Sequence, residues 1–317
     1  MARLDFTDRV AVVTGAGRGI GRAHAQLLAA RGAKVVVNDL GVDVRGDDPS
    51  PDAADEVVQA IRSDGGDAVA DHSSVASLDG TRALIDRALA AYGRVDVLVH
   101  NAGRNIGDVE SMLDVHVRAG FWLTDAVWPG MVERSFGRVV LTTSASGLYG
   151  DGTGPGANPK QPYATAKAAV IGLTRSLATR GRPADIRVNA ISPTADTRLV
   201  GLNRGIENTR AGAPSSTATP DWVSANAPAS VVAAGALWLM HESCPVTGGL
   251  YAIGAGRVAE IFLGVTHGYI ADGELEPEDV LEHLADVHDR SGYHVPVDMG
   301  DYAQWVRSII PDRTPVG

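Results

Sequence analysis

The sequence predicts an α/β fold: a Rossmann-type doubly wound parallel sheet of about seven strands, helices on both faces and a C-terminal extension. Three observations carry the prediction. Short apolar runs alternate with amphipathic segments over residues 1–256, the pattern of strand–helix–strand units. The first run leads directly into Thr14-Gly15-Ala16-Gly17-Arg18-Gly19-Ile20-Gly21 and an Ala/Leu-rich segment. The second run, Lys34 to Asn38, closes on an acid, Asp39.

Taken in order, strands are expected at 9–14, 34–38, 67–70, 95–100, 137–143, 186–191 and 249–253. Each is rich in Val, Ile, Leu or Ala and short, as buried parallel strands are. Helices are expected near 20–31, 52–63, 77–92, 109–134, 162–180 and 228–241. Residues 40–51 and 150–162 are rich in Gly and Pro and read as irregular loops. Residues 194–227 are polar and weakly periodic; a loop that long in a compact domain reads as a lid. The expected organisation is one large α/β domain over 1–256 that includes this lid, and an extension over 257–317 packed on it. In the extension, Pro277 suits a first helical position. Val280, Leu281, Leu284, Val287 and His288 then share one helical face.

Composition bounds the function. The 317 residues are 44% hydrophobic, enough for one large core, and carry a net charge of −10. With no basic stripe, nucleic acid is not an expected partner. No apolar run reaches the roughly 18 residues that span a membrane, so no membrane partner is expected either. The first strand begins almost at once, so a signal peptide is not expected. Cys244 is the single cysteine, so no intrachain disulfide can form. Together these point to the cytoplasm. Of the nine histidines, His283 and His288 lie on different sides of a helix, and no metal site is expected.

The glycine-rich turn points to a dinucleotide. A pyrophosphate needs backbone N–H groups at close range and a helix N-terminus aimed at it. Gly15, Gly17, Gly19 and Gly21 keep that approach open, and Gly21 also lets helix and strand pack closely. Asp39 can accept hydrogen bonds from both hydroxyls of an adenosine ribose and would repel a 2′-phosphate. The expected cofactor is therefore NAD; Arg18, in the loop, pulls weakly toward NADP.

A second signal lies downstream. Tyr163 and Lys167 are four apart and share a helix face. A free phenol has a pKa of about 10 and is a poor base near neutrality; an adjacent ammonium favours phenolate and brings it into working range.

Taken together, TGAGRGIG (14–21), HNAG (100–103), Ser144 in TTSASG, YATAK (163–167) and NAISP (189–193) resemble the short-chain dehydrogenase/reductase family over about residues 8–256. The resemblance implies hydride exchange between a nicotinamide and a secondary alcohol or ketone, without a metal. It implies that Ser144 polarises the substrate carbonyl, Tyr163 passes the proton, and Lys167 holds the nicotinamide ribose and lowers the tyrosine pKa. It places Asn101, Ala102 and Gly103 on the adenosine and ribose side, with Ile191 and Pro193 near the nicotinamide. Ile20, Leu40, Ser73 and Val75 complete the expected cofactor set; Asp71 is the alternative to Ser73 at the adenine. Where the family usually has an Asn on the helix after NAG, this chain has His116, which either relays protons or bonds a backbone carbonyl.

VVVNDLG (35–41), SASGLYG (144–150), HESC (241–244) and GGLYAIGAG (248–256) further resemble the dehydrogenase portion of peroxisomal multifunctional enzymes of type 2. That group oxidises (3R)-hydroxyacyl-CoA with NAD, so the expected substrate is lipid-like: a hydroxyacyl-CoA or a bulky alcohol of sterol or terpene type. A homotetramer or homodimer is expected, paired through the helices near 109–134 and 162–180. The alternative is a non-catalytic NAD-binding regulatory protein that retains the fold; the intact Ser144, Tyr163 and Lys167 set argues against it.

Overall fold

The computed structural model describes residues 3–42, 50–150, 161–197, 225–271 and 274–310. It divides into two compact units, Met1–Glu260 and Ile261–Gly317.

The first unit is built on a sheet with strand order β3-β2-β1-β4-β5-β6-β7-β8. The strands are β1 (Val10–Thr14), β2 (Lys34–Asn38), β3 (Asp67–Asp71), β4 (Val97–His100), β5 (Gly137–Thr142), β6 (Ile186–Thr194), β7 (Leu250–Gly254) and β8 (Arg257–Ile261). The six pairings from β3 to β7 are parallel. The sheet is therefore the doubly wound kind expected, with one strand more than the sequence pattern predicts. Strand β8 arises because Ala255 and Gly256 both take positive φ, 50° and 75°. Such a two-residue turn sends the chain straight back along β7.

Both faces of the sheet are covered. In β1, Ala11 and Val13 join one apolar cluster, and Val12, between them, joins the other. Burial on both sides is why these strands read as unbroken apolar runs rather than as alternation. Around the sheet lie α1 (Gly19–Ala30), α2 (Asp52–Ser63), α3 (Leu78–Tyr92), α4 (Val109–Leu113), α5 (Ala119–Glu133), α6 (Ala145–Tyr149), α7 (Gln161–Gly181) and α8 (Ala229–Ala236). The helix expected over 109–134 is not uniform: Asp114–Arg118 forms a π-helical turn between α4 and α5. A π turn inside a helix re-aims the side chains it carries.

Strand β6 continues three residues past its predicted end, to Thr194, so the expected lid starts inside a strand. Residues 198–224 of that lid, and 151–160 of the loop after Ser144, lie outside the described residues.

In the second unit, the helix expected from Pro277 is broken. It forms α9 (Pro277–Glu282) and α10 (Leu284–Val287), followed by α11 (Met299–Ile309). The break falls at His283 (φ −108°, ψ 24°), whose Nδ1 lies 2.8 Å from the Asp279 carbonyl. The Asp279 carbonyl thus accepts from both the His283 N–H, at 3.0 Å, and the ring.

At the opposite edge from the strand C-termini, Arg138 opens β5 fully buried. Its guanidinium donates to the carbonyls of Gly137, Asp185, His241 and Glu242 and to the Asp185 carboxylate at 3.1 Å. This ties β5 to the starts of β6 and the β7 approach. Arg138→Ala strands several buried acceptors at once, so it is expected to lower unfolding free energy by about 3–5 kcal/mol. Urea denaturation of the variant against the wild type measures this.

Candidate active site

Ligands in such sheets bind beyond the strand C-termini, where the strand order reverses. Here that point lies between β1 and β4, and a cleft of about 670 Å³ opens above it.

The glycine loop forms one wall. Asn101 Nδ2 donates to the carbonyls of Thr14 and Gly15, at 3.2 and 3.1 Å, binding the loop to the end of β4. A Cβ on Gly15 would stand 2.8 Å from Ala102 Cα, so the loop presses directly on the neighbouring backbone. Helix α1 then begins at Gly19. Arg18, at its N-cap, gives no side-chain cap, and the first turn holds no acid. By contrast Ser77 caps α3, Asp108 caps α4 and Asp298 caps α11. An uncapped first turn with its amides open to a cleft is a ready acceptor for an anion. These residues fit the pyrophosphate of a dinucleotide.

Of the expected cofactor set, Gly15, Arg18, Gly19, Ile20, Asp39, Leu40, Ser73, Val75, Asn101, Ala102, Gly103 and Pro193 line the cleft with Tyr163 and Lys167. Gly17 and Gly21 stand behind this lining: a Cβ on Gly21 would meet the Gly15 carbonyl oxygen at 2.1 Å. Ile191, placed near the nicotinamide by the resemblance, is fully buried below the cleft in the core. At the end of β3, Ser73 and Asp71 are placed differently. The Asp71 carboxylate is taken by Asn38 Nδ2 at 2.7 Å and by the Ser73 N–H at 2.9 Å, whereas Ser73 reaches the cleft.

Ser144, Tyr163 and Lys167 line the same cleft. Ser144 is the N-cap of α6, and its Oγ accepts from the Ser146 N–H at 3.2 Å. Its hydroxyl proton stays available for a second partner. Thr143 Oγ1 donates to the Lys167 carbonyl at 2.6 Å, pinning α7 to the end of β5. Lys167 Nζ donates to the Thr142 carbonyl at 2.7 Å and sits 5.8 Å from the centre of the Tyr163 ring. Burial pushes the Lys167 ammonium down to about 7.

His116 sits in the π turn and packs edge-on against Tyr163, ring centres 5.5 Å apart. Its Nε2 lies 2.7 Å from the Arg104 carbonyl. A carbonyl only accepts, so Nε2 carries the proton and Nδ1 keeps its lone pair. Nδ1 is buried without a hydrogen-bond partner among the described residues. Burial, with Lys167 nearby, holds this imidazole well below its usual pKa. Of the two readings of His116, the bond to a backbone carbonyl is present. Gly103 makes room for the ring: a Cβ there would lie 2.2 Å from His116 Cε1.

A second neutral imidazole backs the first. Thr14 Oγ1 accepts from the N–H groups of Asn101 and Ala102, at 3.1 and 3.0 Å. With both lone pairs used, its hydroxyl donates to His100 Nδ1 at 3.1 Å. Burial lowers the His100 pKa to about 4.

The cleft also contains residues that sequence reasoning missed: Thr142, Asn105 and Thr197. Thr197 lies over Gly19, its Cγ2 3.6 Å from where a Cβ would stand. Its position four residues after Pro193 at a strand end was the available signal; it was obscured by the early predicted end of β6.

Residues 9–202 match the short chain dehydrogenase family. The chain belongs to that family. Mouse peroxisomal multifunctional enzyme type 2 is 38% identical over 306 residues, covering 92% of this chain but 38% of the mouse protein. The chain thus spans well under half of that relative's length. The full-length Drosophila melanogaster peroxisomal multifunctional enzyme type 2 structure superposes with a TM-score of 0.74 at 28% identity, over 97% of this chain and 50% of that one. A short chain dehydrogenase from Mycobacterium avium superposes with a TM-score of 0.68 at 32% identity, over 90% of this chain and 97% of its own. This short-chain dehydrogenase has, among its described residues, no helix long and apolar enough to cross a membrane.

Neutral buried imidazoles make stability depend on pH. His24, inside α1, is buried with neither ring nitrogen partnered among the described residues, and burial lowers its pKa to about 4, as for His100. Between pH 6.5 and 4 each ring is neutral when folded and protonated when unfolded. Unfolding therefore takes up protons, and stability falls as pH falls through that window, by about 1.4 kcal/mol per pH unit for each ring. The urea midpoint is expected to drop steadily from pH 7 to 4.5. His24→Leu should flatten that slope by one proton.

Proposed function

We propose that this dehydrogenase uses NAD to interconvert a secondary alcohol and a ketone on a lipid-like substrate. The observation that carries the reading is the convergence of Ser144, Tyr163 and Lys167 on one cleft with the uncapped start of α1 and Asp39. NAD, when bound, supplies the hydride acceptor for alcohol oxidation.

The protein's part is placement and proton handling. Ser144 donates its hydroxyl proton to the substrate oxygen. Tyr163 takes the proton from that oxygen in oxidation and returns it in reduction. Lys167, held by the Thr142 carbonyl, brings positive charge to the phenol's side of the cleft and favours its ionised form. His116, neutral and locked through Arg104, buttresses the Tyr163 ring. Gly15, Arg18, Gly19 and Ile20 receive the pyrophosphate. Asn101, Ala102, Gly103, Leu40, Ser73 and Val75 flank the adenosine, with Pro193 on the nicotinamide side.

The resemblance to the type 2 multifunctional enzymes supports a hydroxyacyl-CoA, and a sterol- or terpene-type alcohol suits the same chemistry. Residues 194–227 are assigned to substrate selection. A homotetramer paired through α5 and α7 is the assembly we favour, as the family resemblance implies. A reducing compartment, the cytoplasm, suits the buried free thiol of Cys244.

Two measurements test this. A screen of secondary alcohols and hydroxyacyl-CoAs with NAD, followed by NADH absorbance, is expected to find turnover; its absence across the screen would favour a binding protein that only retains the fold. Tyr163→Phe is expected to lower kcat by about 10²–10⁴-fold with NAD affinity nearly unchanged by calorimetry. Persistent turnover would remove Tyr163 from the mechanism.

A further inference from the structure

The carboxylate of Asp39 is held on both oxygens by backbone. The Gly17 N–H donates to Oδ2 at 2.8 Å, and the Gly41 N–H donates to Oδ1 at 2.7 Å. Both donors belong to glycines closely backed by neighbouring atoms. Gly41 takes φ +75°, and a Cβ there would stand 1.6 Å from the Ser50 carbonyl oxygen. A Cβ on Gly17 would meet Ala53 Cβ at 2.8 Å. Ser50 and Ala53 flank the start of α2, so that end of the helix backs both donors.

This has two consequences. Each carboxylate oxygen has two lone-pair sites, one now occupied, which leaves one on each oxygen for a vicinal diol. The charge is also unable to turn aside. A free aspartate could rotate away from a 2′-phosphate and leave it to Arg18, which lines the same cleft. A pinned one cannot, and the repulsion stays in place.

We propose that Gly41, through its backbone N–H and the wall of α2 behind it, locks the Asp39 carboxylate and thereby sets the discrimination against a 2′-phosphorylated dinucleotide. The inference rests on the NAD reading above, and it makes Gly41 a positioning residue for specificity.

The readout is the ratio of kcat/KM with NAD to that with NADP, alongside calorimetric Kd values for 5′-AMP and 2′,5′-ADP. Wild-type protein is expected to favour NAD; if it favours NADP, the NAD reading itself fails, whatever the variants do. Gly41→Ala is expected to lower the NAD/NADP ratio by about tenfold or more, as loss of a hydrogen bond to a charged group does. A merely structural role would weaken both cofactors alike and leave the ratio unmoved. Should Gly41→Ala not fold, an ester in place of the Leu40–Gly41 amide removes the same donor and adds no atom. An unchanged ratio in the folded variant, with Asp39→Ala abolishing the preference, would overturn the role of Gly41 and leave that of Asp39 standing.

Discussion

The hydroxyl of Thr14 is the joint on which the site depends. It closes β1, accepts the backbone N–H groups of Asn101 and Ala102, and donates to His100. One buried group thus holds the start of the glycine loop and the end of β4 in register. Unpaired, any of these donors or acceptors would cost about 1–3 kcal/mol. The parallel ladder between β1 and β4 sets the distance, with Thr14 opposite His100. The reversal of strand order at that pair then leaves the cleft open above it.

From this joint the site extends in two directions. Toward β2 and β3 it is made of backbone: an uncapped helix start, a carboxylate clamped by two amides, and Asp71 satisfied internally by Asn38 and Ser73. That half is rigid and electrostatic, suited to a fixed ligand. Toward β5 and α7 it is made of side chains. Lys167 and Thr143 cross-link the end of β5 to α7, and Tyr163 stands between Lys167 and His116. Burial leaves the two histidines neutral and Lys167 close to its titration point near neutrality. Such perturbed groups collect where protons must move.

Much of this was legible in the sequence because it depends on local spacing. The apolar runs that became β1, β2, β5 and β6 needed no tertiary information, nor did the i, i+4 pairing of Tyr163 with Lys167. Less legible was whatever depends on two segments meeting. The π turn that aims His116 lies inside a run that reads as ordinary helix. The protonation of its ring follows from Arg104, twelve residues upstream, whose carbonyl it reaches only in the folded chain. Strand β8 hinges on two positive φ angles, and the helix break on the non-helical backbone of His283.

The sequence by itself determined the class of fold and singled out the glycine loop and the Ser144, Tyr163 and Lys167 set, since hydrophobic period, glycine spacing and helix geometry are properties of short stretches. Only the tertiary structure decided how those groups are held. It bonded Asp71 to Asn38 and left Ser73 lining the cleft, fixed the tautomer of His116, and clamped Asp39 between amides from Gly17 and Gly41. Hydrogen-bond partners and burial are set by which segments the sheet brings together, and no window of sequence contains both ends of such a contact.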